Sequence, residues 1–169
     1  MLASSGPAPF AGEVVHVDLH NDEHAAQLMR LLGTYALDPM GGGKPLLPVV
    51  HEHLIERLKN FPTFVGLLAV EDGEYVGLAN GFYNFSTFSA QPVINVHDLA
   101  VDPNNRGRGV GKALLDEMAR YATEQGCSYL TLEVRFDNPA RRLYQRCGFV
   151  GGHPDSDEMS FWKKRLAAC

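Results

Sequence analysis

The segment Arg106-Gly107-Arg108-Gly109-Val110-Gly111-Lys112 restricts what this chain can fold into more than any other stretch of it. An apolar run ending at Val101 precedes it, and a stretch with apolar residues at helical spacing follows it, so it reads as a loop joining a strand to a helix. Its three closely spaced glycines let main chain approach a ligand without Cβ obstruction. A helix starting there offers unpaired N–H groups and the positive end of its macrodipole. Arg106, Arg108 and Lys112 add three cations. Such a combination describes a site for a pyrophosphate or similar polyanion.

Spacing narrows the choice of polyanion. A P-loop needs glycine, four residues, then Gly-Lys-Ser/Thr, whereas here Arg106 holds the first position and Ala113 follows Lys112. The dinucleotide fingerprint fails as well, because Lys112 stands where its third glycine belongs.

The rest of the chain supplies a frame for that loop. Val14 to Leu19 reads as a short strand, and Asn21 or Asp22 can cap a helix whose stripe is Ala25, Leu28, Met29 and Leu32. That helix stops before Pro39, and Met40 to Pro48 is a Gly/Pro-rich loop. Leu54, Ile55 and Leu58 mark a second helix, closed by Pro62. Phe64 to Val70 and Glu74 to Phe82 flank Glu71-Asp72-Gly73, a hairpin signal. Val93 to Val101 is a further strand, ended by Asp102-Pro103. The helix from Gly109 to about Gln125 carries Val110, Ala113, Leu114, Met118 and Tyr121 on one face, with Gly126 suited to its C-terminal cap. Tyr129 to Phe136 is the next strand, and Asn138-Pro139 a helix start. Phe149-Val150 and Met159 to Leu166 supply the last strands. A mixed sheet covered by helices follows, an α/β chain of the α+β type. There is no internal repeat and no linker, so a single domain is expected over 13–167. Residues 1–12 are expected to be a poorly ordered leader, without the basic and apolar regions of a signal peptide.

Composition excludes several classes. A formal charge of −5 argues against a partner held mainly by phosphate contacts, such as nucleic acid, and suits a cationic small acceptor or simply a soluble surface. No apolar run approaches the length of a membrane span. Cys127, Cys147 and Cys169 match no metal-ligand spacing and form no even disulfide set, so a reduced cytoplasm and no metal are expected. His51-Glu52-His53 fails the metalloprotease pattern, since the second histidine would fall at Ile55, and reads as a solvated helix face. Phe82, Tyr83, Phe85 and Phe88 could line an acceptor pocket, but core is the safer reading.

Arg106-x-x-Gly109-x-Gly111 resembles the acyl-CoA signature of the GNAT superfamily of N-acetyltransferases, Gln/Arg-x-x-Gly-x-Gly/Ala, here preceded by Leu99-Ala100-Val101. Ala140-Arg141-Arg142-Leu143-Tyr144 followed by Gly148-Phe149 resembles the superfamily's second motif. The resemblance implies the GNAT fold, a mixed, mostly antiparallel sheet of six to seven strands flanked by about four helices. It implies acetyl-CoA as cosubstrate, with the pyrophosphate on main-chain N–H groups of Arg106, Gly107, Arg108, Gly109, Val110, Gly111 and Lys112. The pantetheine arm would run beside Leu99, Ala100 and Val101, splayed from the strand around Leu132 and Val134, with the Leu99 N–H donating to the thioester carbonyl. The superfamily often places asparagine three residues before the motif's alanine. Here that position is Asp137, and Asn138, one residue on, is either a CoA contact or only a cap.

By the same resemblance Tyr144 is the general acid for the departing thiolate. For the base, His97 is the choice over Glu133. Strand alternation would put Asn95, His97, Leu99 and Val101 on one face, upstream of the cofactor line and toward the acceptor, with Asp98 turned away unless a bulge intervenes. Serotonin N-acetyltransferases of the superfamily carry histidines at offsets matching Asn95 and His97. An ordinary imidazole titrates near neutrality, suited to taking a proton through a water. The expected partner is a small-molecule amine, with no nucleic acid and no membrane; a homodimer stays open. Protein lysine or N-terminal acetylation and a non-catalytic acyl-CoA sensor are the competing readings.

Overall fold

The computed structural model describes residues 7–151 and 159–166. In chain order these form β1 (Glu13–His16), α1 (Asp22–Leu37), α2 (Pro48–Lys59), β2 (Phe64–Glu71), β3 (Glu74–Ser86), β4 (Gln91–Val101), α3 (Val110–Glu124), β5 (Tyr129–Arg135), α4 (Arg141–Arg146), β6 (Val150–Gly151) and β7 (Met159–Arg165). The strands make one sheet in the order β1-β2-β3-β4-β5-β7-β6, antiparallel throughout except between β4 and β5. Among the described residues this is a mixed, mostly antiparallel sheet of seven strands with four helices, in keeping with the six to seven strands and about four helices that the resemblance implies.

Local chemistry sets the elements. The Asn21 side chain accepts from the N–H groups of Glu23 and His24, capping α1, and Asp22 and Glu23 lie in its first turn, where the dipole favours them. Asp72 and Gly73 both take positive φ (52° and 79°), the two-residue turn that joins β2 to β3 with the right twist. One face of the sheet is covered by α3 and α4: Leu114, Leu115 and Met118 pack with Leu67, Ile94, Val96, Leu130 and Phe149. On the other face Leu28 and Leu31 of α1 pack on Leu68, Leu78 and Ala100. The central strands are therefore apolar on both sides, which is why Val65 to Val70 reads as a continuous run rather than an alternating one.

Two features of β4 position the site. Its parallel pairing with β5 is confined to Ile94↔Leu130 and Asn95↔Thr131; beyond these the strands diverge, and β5 from Leu132 onward pairs only with β7. The Val96 to Val101 edge thus faces a gap. Secondly, Asn80 of β3 opposes Asp98 while Gly81 opposes Val96, so His97 is an extra residue in the ladder, a β-bulge. The bulge corrects the expected alternation. Leu99 and Val101 pack with the α3 cluster, whereas His97 meets Phe82, which stacks against Phe61 and Phe64 on the opposite side. His97 and Leu99 do not share a face.

Three further expectations change. The chain at Asn138-Pro139 forms a tight turn, with Arg141 N–H bonded to Asn138 O and Arg142 N–H to Pro139 O. The Asn138 side chain accepts from Ala140 N–H inside this turn, and α4 begins only at Arg141. Of the supposed leader, Ala8 to Gly12 is held against the domain: Phe10 N–H bonds Arg108 O and Ala11 N–H bonds Glu71. Finally, Phe85 and Phe88 are exposed near the β3–β4 turn rather than core, while Phe82 and Tyr83 are partly buried. Cys127 and Cys147 are free and buried; Cys169 lies outside the described residues. His51, Glu52 and His53 are exposed on α2. No helix among the described residues is long and apolar enough to cross a membrane.

Candidate active site

Where β4 and β5 part, a cavity of about 660 Å³ opens. It is lined by Leu99, Ala100 and Val101 of β4 and by Asn105 to Lys112 except Arg108. Tyr35, Asp38 and Met40 close it from the α1 side, and Asn138, Leu143 and Tyr144 from the α4 side. It therefore reaches both faces of the sheet through the gap. A second hollow of about 260 Å³, around His16 to His20 and Lys59, shares no lining residue with it.

At one end of the cavity stands the N-terminus of α3, whose fifteen residues align their dipoles to give about half a positive charge there. The loop's glycines have two distinct reasons to be glycine. Gly107 and Gly109 sit at φ +76° and +100°, a region L-residues rarely adopt, although a Cβ at either would touch nothing within 4 Å. Gly111 is helical, and its Cβ would come within 2.9 Å of Leu143 Cδ2, so it lets α4 pack onto the first turn of α3.

The three cations do not act alike. Arg106 donates through Nη2 to Asp38 Oδ2 (2.9 Å) and through Nε to Val101 O (3.2 Å), latching the loop to the end of α1. Asp38 is held below its usual carboxylate range, chiefly by the Met40 N–H and then by Arg106. Lys112 pairs with Asp116 along the helix surface. Arg108 turns away from the cavity: both its Nη groups clasp Glu71 (3.0 and 2.7 Å) and its Nε bonds Ala8 O (2.7 Å). The expectation of three side-chain cations gathered around one anion is therefore corrected for Arg108. Arg106 and Lys112 line the cavity beside the helix mouth, and Arg108 does not.

Tyr144 lines the middle of the cavity on α4, 8% exposed, its ring packed edge-on to Phe149 at 6.0 Å. Burial raises its phenol well above the usual value, with Tyr35 and Cys147 adding to the shift. It is protonated at neutral pH, the state a proton donor needs. Tyr35 is raised too, by burial first and then by Asp98 and Asp38.

His97 does not line this cavity. It is 65% exposed and sits over Phe82, with Nδ1 at 3.6 Å from Asp98 Oδ1. Its pKa is raised above the ordinary imidazole value, by the Asp98 side chain first and by the charge of Glu133, against a partial desolvation. Asp98 in turn accepts from Asn80 Nδ2 at 3.0 Å. Asn80 is buried, and its Oδ1 has no hydrogen-bond partner among the described residues. Asn95 Nδ2 lies within 3.1 Å of both Thr131 Oγ1 and Glu133 Oε2, spanning the root of the splay.

Sequence reasoning missed Tyr35, Asp38 and Asn80. One signal was available for Asp38: a carboxylate at the C-terminal end of a helix opposes the dipole, and such local conflicts mark functional positions.

Fold and cavity define a class, a mixed α/β domain with a cleft between diverging parallel strands and a glycine loop at its mouth. The chain belongs to the acetyltransferase (GNAT) family, whose sequence model matches residues 19–149. It is 35% identical over 94 residues to the uncharacterized N-acetyltransferase YhfO of Bacillus subtilis, covering 55% of this chain and 62% of that protein. It is 36% identical over 89 residues to the streptothricin acetyltransferase of Streptomyces lavendulae, covering 52% of this chain and 44% of that one. The chain thus spans less than two thirds of the length of these curated relatives. Its fold is similar to that of an aminoglycoside acetyltransferase from an uncultured soil metagenomic sample, solved with trehalose. There the TM-score is 0.66 at 24% identity, over 80% of this chain and 86% of that one.

Proposed function

We propose that the chain is an acetyl-CoA-dependent N-acetyltransferase that moves the acetyl group directly to a primary amine of a small, cationic molecule. The observation that carries this reading is the unpaired β4 edge opening onto a cavity that runs from a helix mouth to a buried tyrosine. The residues fit the cosubstrate: N–H groups at the α3 mouth suit a diphosphate, and an open strand edge suits the two amides of pantetheine.

Bound acetyl-CoA supplies an activated thioester. Around it Gly107, Gly109, Val110, Gly111 and Lys112 offer main-chain N–H groups to the diphosphate, and Arg106 holds the loop to α1 through Asp38. Leu99 donates its N–H to the carbonyl oxygen, where negative charge grows as the amine attacks. Asn138 and Ala140 bound the cavity beside α4. His97, through a water, takes the proton the ammonium must lose before its nitrogen can form the new C–N bond. Tyr144 gives its proton to the sulfur as the C–S bond breaks.

The acceptor side supports a cation. Asp98 and Glu133 act on His97 from β4 and β5, the strands that part at the cavity, and the chain carries a net −5. A relative named for streptothricin and a structural neighbour named for aminoglycosides point the same way. The test is thiol release from acetyl-CoA across a panel of small amines and lysine-bearing peptides. Turnover on polycationic small amines supports the proposal; turnover confined to peptides assigns a protein acceptor. Binding of coenzyme A without turnover on any amine assigns a sensor.

A further inference from the structure

The loop between β4 and α3 contains two left-handed glycines flanking one residue, Arg108. A chain so rich in glycine has many conformations to lose on ordering, so something must select the one that opens its N–H groups toward the cavity. On the cavity side Arg106 ties the start of the loop to Asp38 and Val101, ahead of the two glycines. On the outer side, five contacts converge on Arg108 and its partner. The Arg108 carbonyl accepts from Phe10 N–H (2.7 Å), and its Nε donates to Ala8 O (2.7 Å). Its two Nη groups hold the Glu71 carboxylate, and Glu71 Oε1 also accepts from Ala11 N–H (2.9 Å). Phe10 packs against the main core, which anchors the arm. The pair is well shielded: the side chains of Arg108 and Glu71 are 18% and 11% exposed, against 50% for Arg106. Shielded, bidentate Arg–carboxylate geometry is the form of ion pair that fixes position.

We propose that Glu71, Arg108 and the Ala8 to Gly12 arm form a brace that holds the glycine loop open for a diphosphate-bearing ligand. Glu71 and the Arg108 side chain are then positioning residues, acting through the loop and touching no ligand. The inference rests on the coenzyme A reading above and adds to it the end of the β2–β3 hairpin and an arm that no cofactor motif includes.

The experiment is calorimetry with coenzyme A, and steady-state kinetics with acetyl-CoA, on the full chain carrying Glu71→Gln, Arg108→Lys or Arg108→Ala. If loss of the brace leaves the loop open about one time in ten, the apparent Kd rises about tenfold. The expected result is such a rise in Kd for coenzyme A and in KM for acetyl-CoA, largest for Arg108→Ala and smaller for Arg108→Lys. Turnover at saturation and KM for the amine should stay within about twofold, a split that general destabilisation would not produce. Glu71→Gln keeps the shape of the side chain and serves where Arg108→Ala fails to fold. Unchanged coenzyme A affinity in Glu71→Gln, beside a wild type that binds, overturns the brace alone. A wild type that gives no heat with coenzyme A overturns the cofactor reading and the brace with it.

Discussion

Two regions beside the β4 edge are built by different means. At the α3 mouth of the cavity the proposed working groups are main-chain N–H donors in one continuous segment, Arg106 to Lys112, shaped by glycines at φ +76° and +100°. On the α1 side of the sheet the second region is made of side chains drawn from α1, β3, β4 and β5: Tyr35, Asn80, His97, Asp98 and Glu133, of which only Tyr35 lines the cavity. A main-chain site needs particular residues at particular offsets and so leaves a local signature. A side-chain site needs only that distant elements meet, and the same meeting can be reached by many sequences. That contrast explains why one family can share a cosubstrate while differing in acceptor.

Separating chemistry from binding is the sharpest way to test the contrast, and it carries the largest expected effect. Tyr144→Phe removes one hydroxyl from the middle of the cavity. Turnover should fall by about 10²- to 10⁴-fold, the usual range for a lost general acid, while coenzyme A affinity holds. Unchanged turnover would take Tyr144 out of the mechanism. Gly109→Val comes next. At φ +100° a β-branched residue is strained by about 1–3 kcal/mol although its Cβ has room, so the loop should abandon its open form. Affinity for coenzyme A should drop about ten- to a hundredfold, and turnover at saturation should survive. Loss of turnover with affinity intact would mean that the mouth is not the binding end.

Gly111→Ala, two residues on, should behave differently. Its new Cβ meets Leu143 on α4, so it displaces the helix that carries Tyr144 rather than the loop. The expected result is a loss of about a few-fold, mainly in turnover, since small misplacements of a reacting group are costly. If both glycine variants change affinity alone, their two roles collapse into one.

How much of this was legible in the sequence follows the same division. The strand–loop–helix unit and the seven strands could be read from spacing and periodicity, and the two motif segments from their resemblance to the superfamily, because each is set by residues close together in the chain. The bulge at His97 could not: Asn95-Val96-His97-Asp98-Leu99 contains no glycine or proline to mark an extra residue, and strict alternation put His97 on the wrong side. Arg108 also misled, since a cation in an anion loop looks like a ligand until Glu71, thirty-seven positions earlier, is seen to claim it. Asn138-Pro139 reads as a helix start, yet the chain first winds a tight turn in which Asn138 caps Ala140. In each case the deciding partner was remote or the local signal served two geometries.

The smallest effect tests the acceptor end, and its sign follows from Asp98. The neutral imidazole is the form that takes a proton, so the rate should rise with pH through the His97 pKa. Asp98 first, then Glu133, lift that pKa above the ordinary histidine value, while Phe82, edge-on to the ring, carries no charge. At 3.6 Å the Asp98 contact is longer than a good hydrogen bond and acts largely through charge. Asp98→Asn keeps the shape and can still meet Asn80, but it removes the charge. The rising limb of kcat/KM should therefore move to lower pH, and Glu133→Gln should move it the same way by less. The folding contribution has the opposite trend: it is present below the unfolded pKa and lost as pH rises through the raised folded one. Because His97 is 65% exposed, that contribution is small, and a melting curve should barely register it. A limb that stays in place in Asp98→Asn, or one that persists in His97→Gln, would show that the proton leaves by another route and that the bulge serves only to open the sheet.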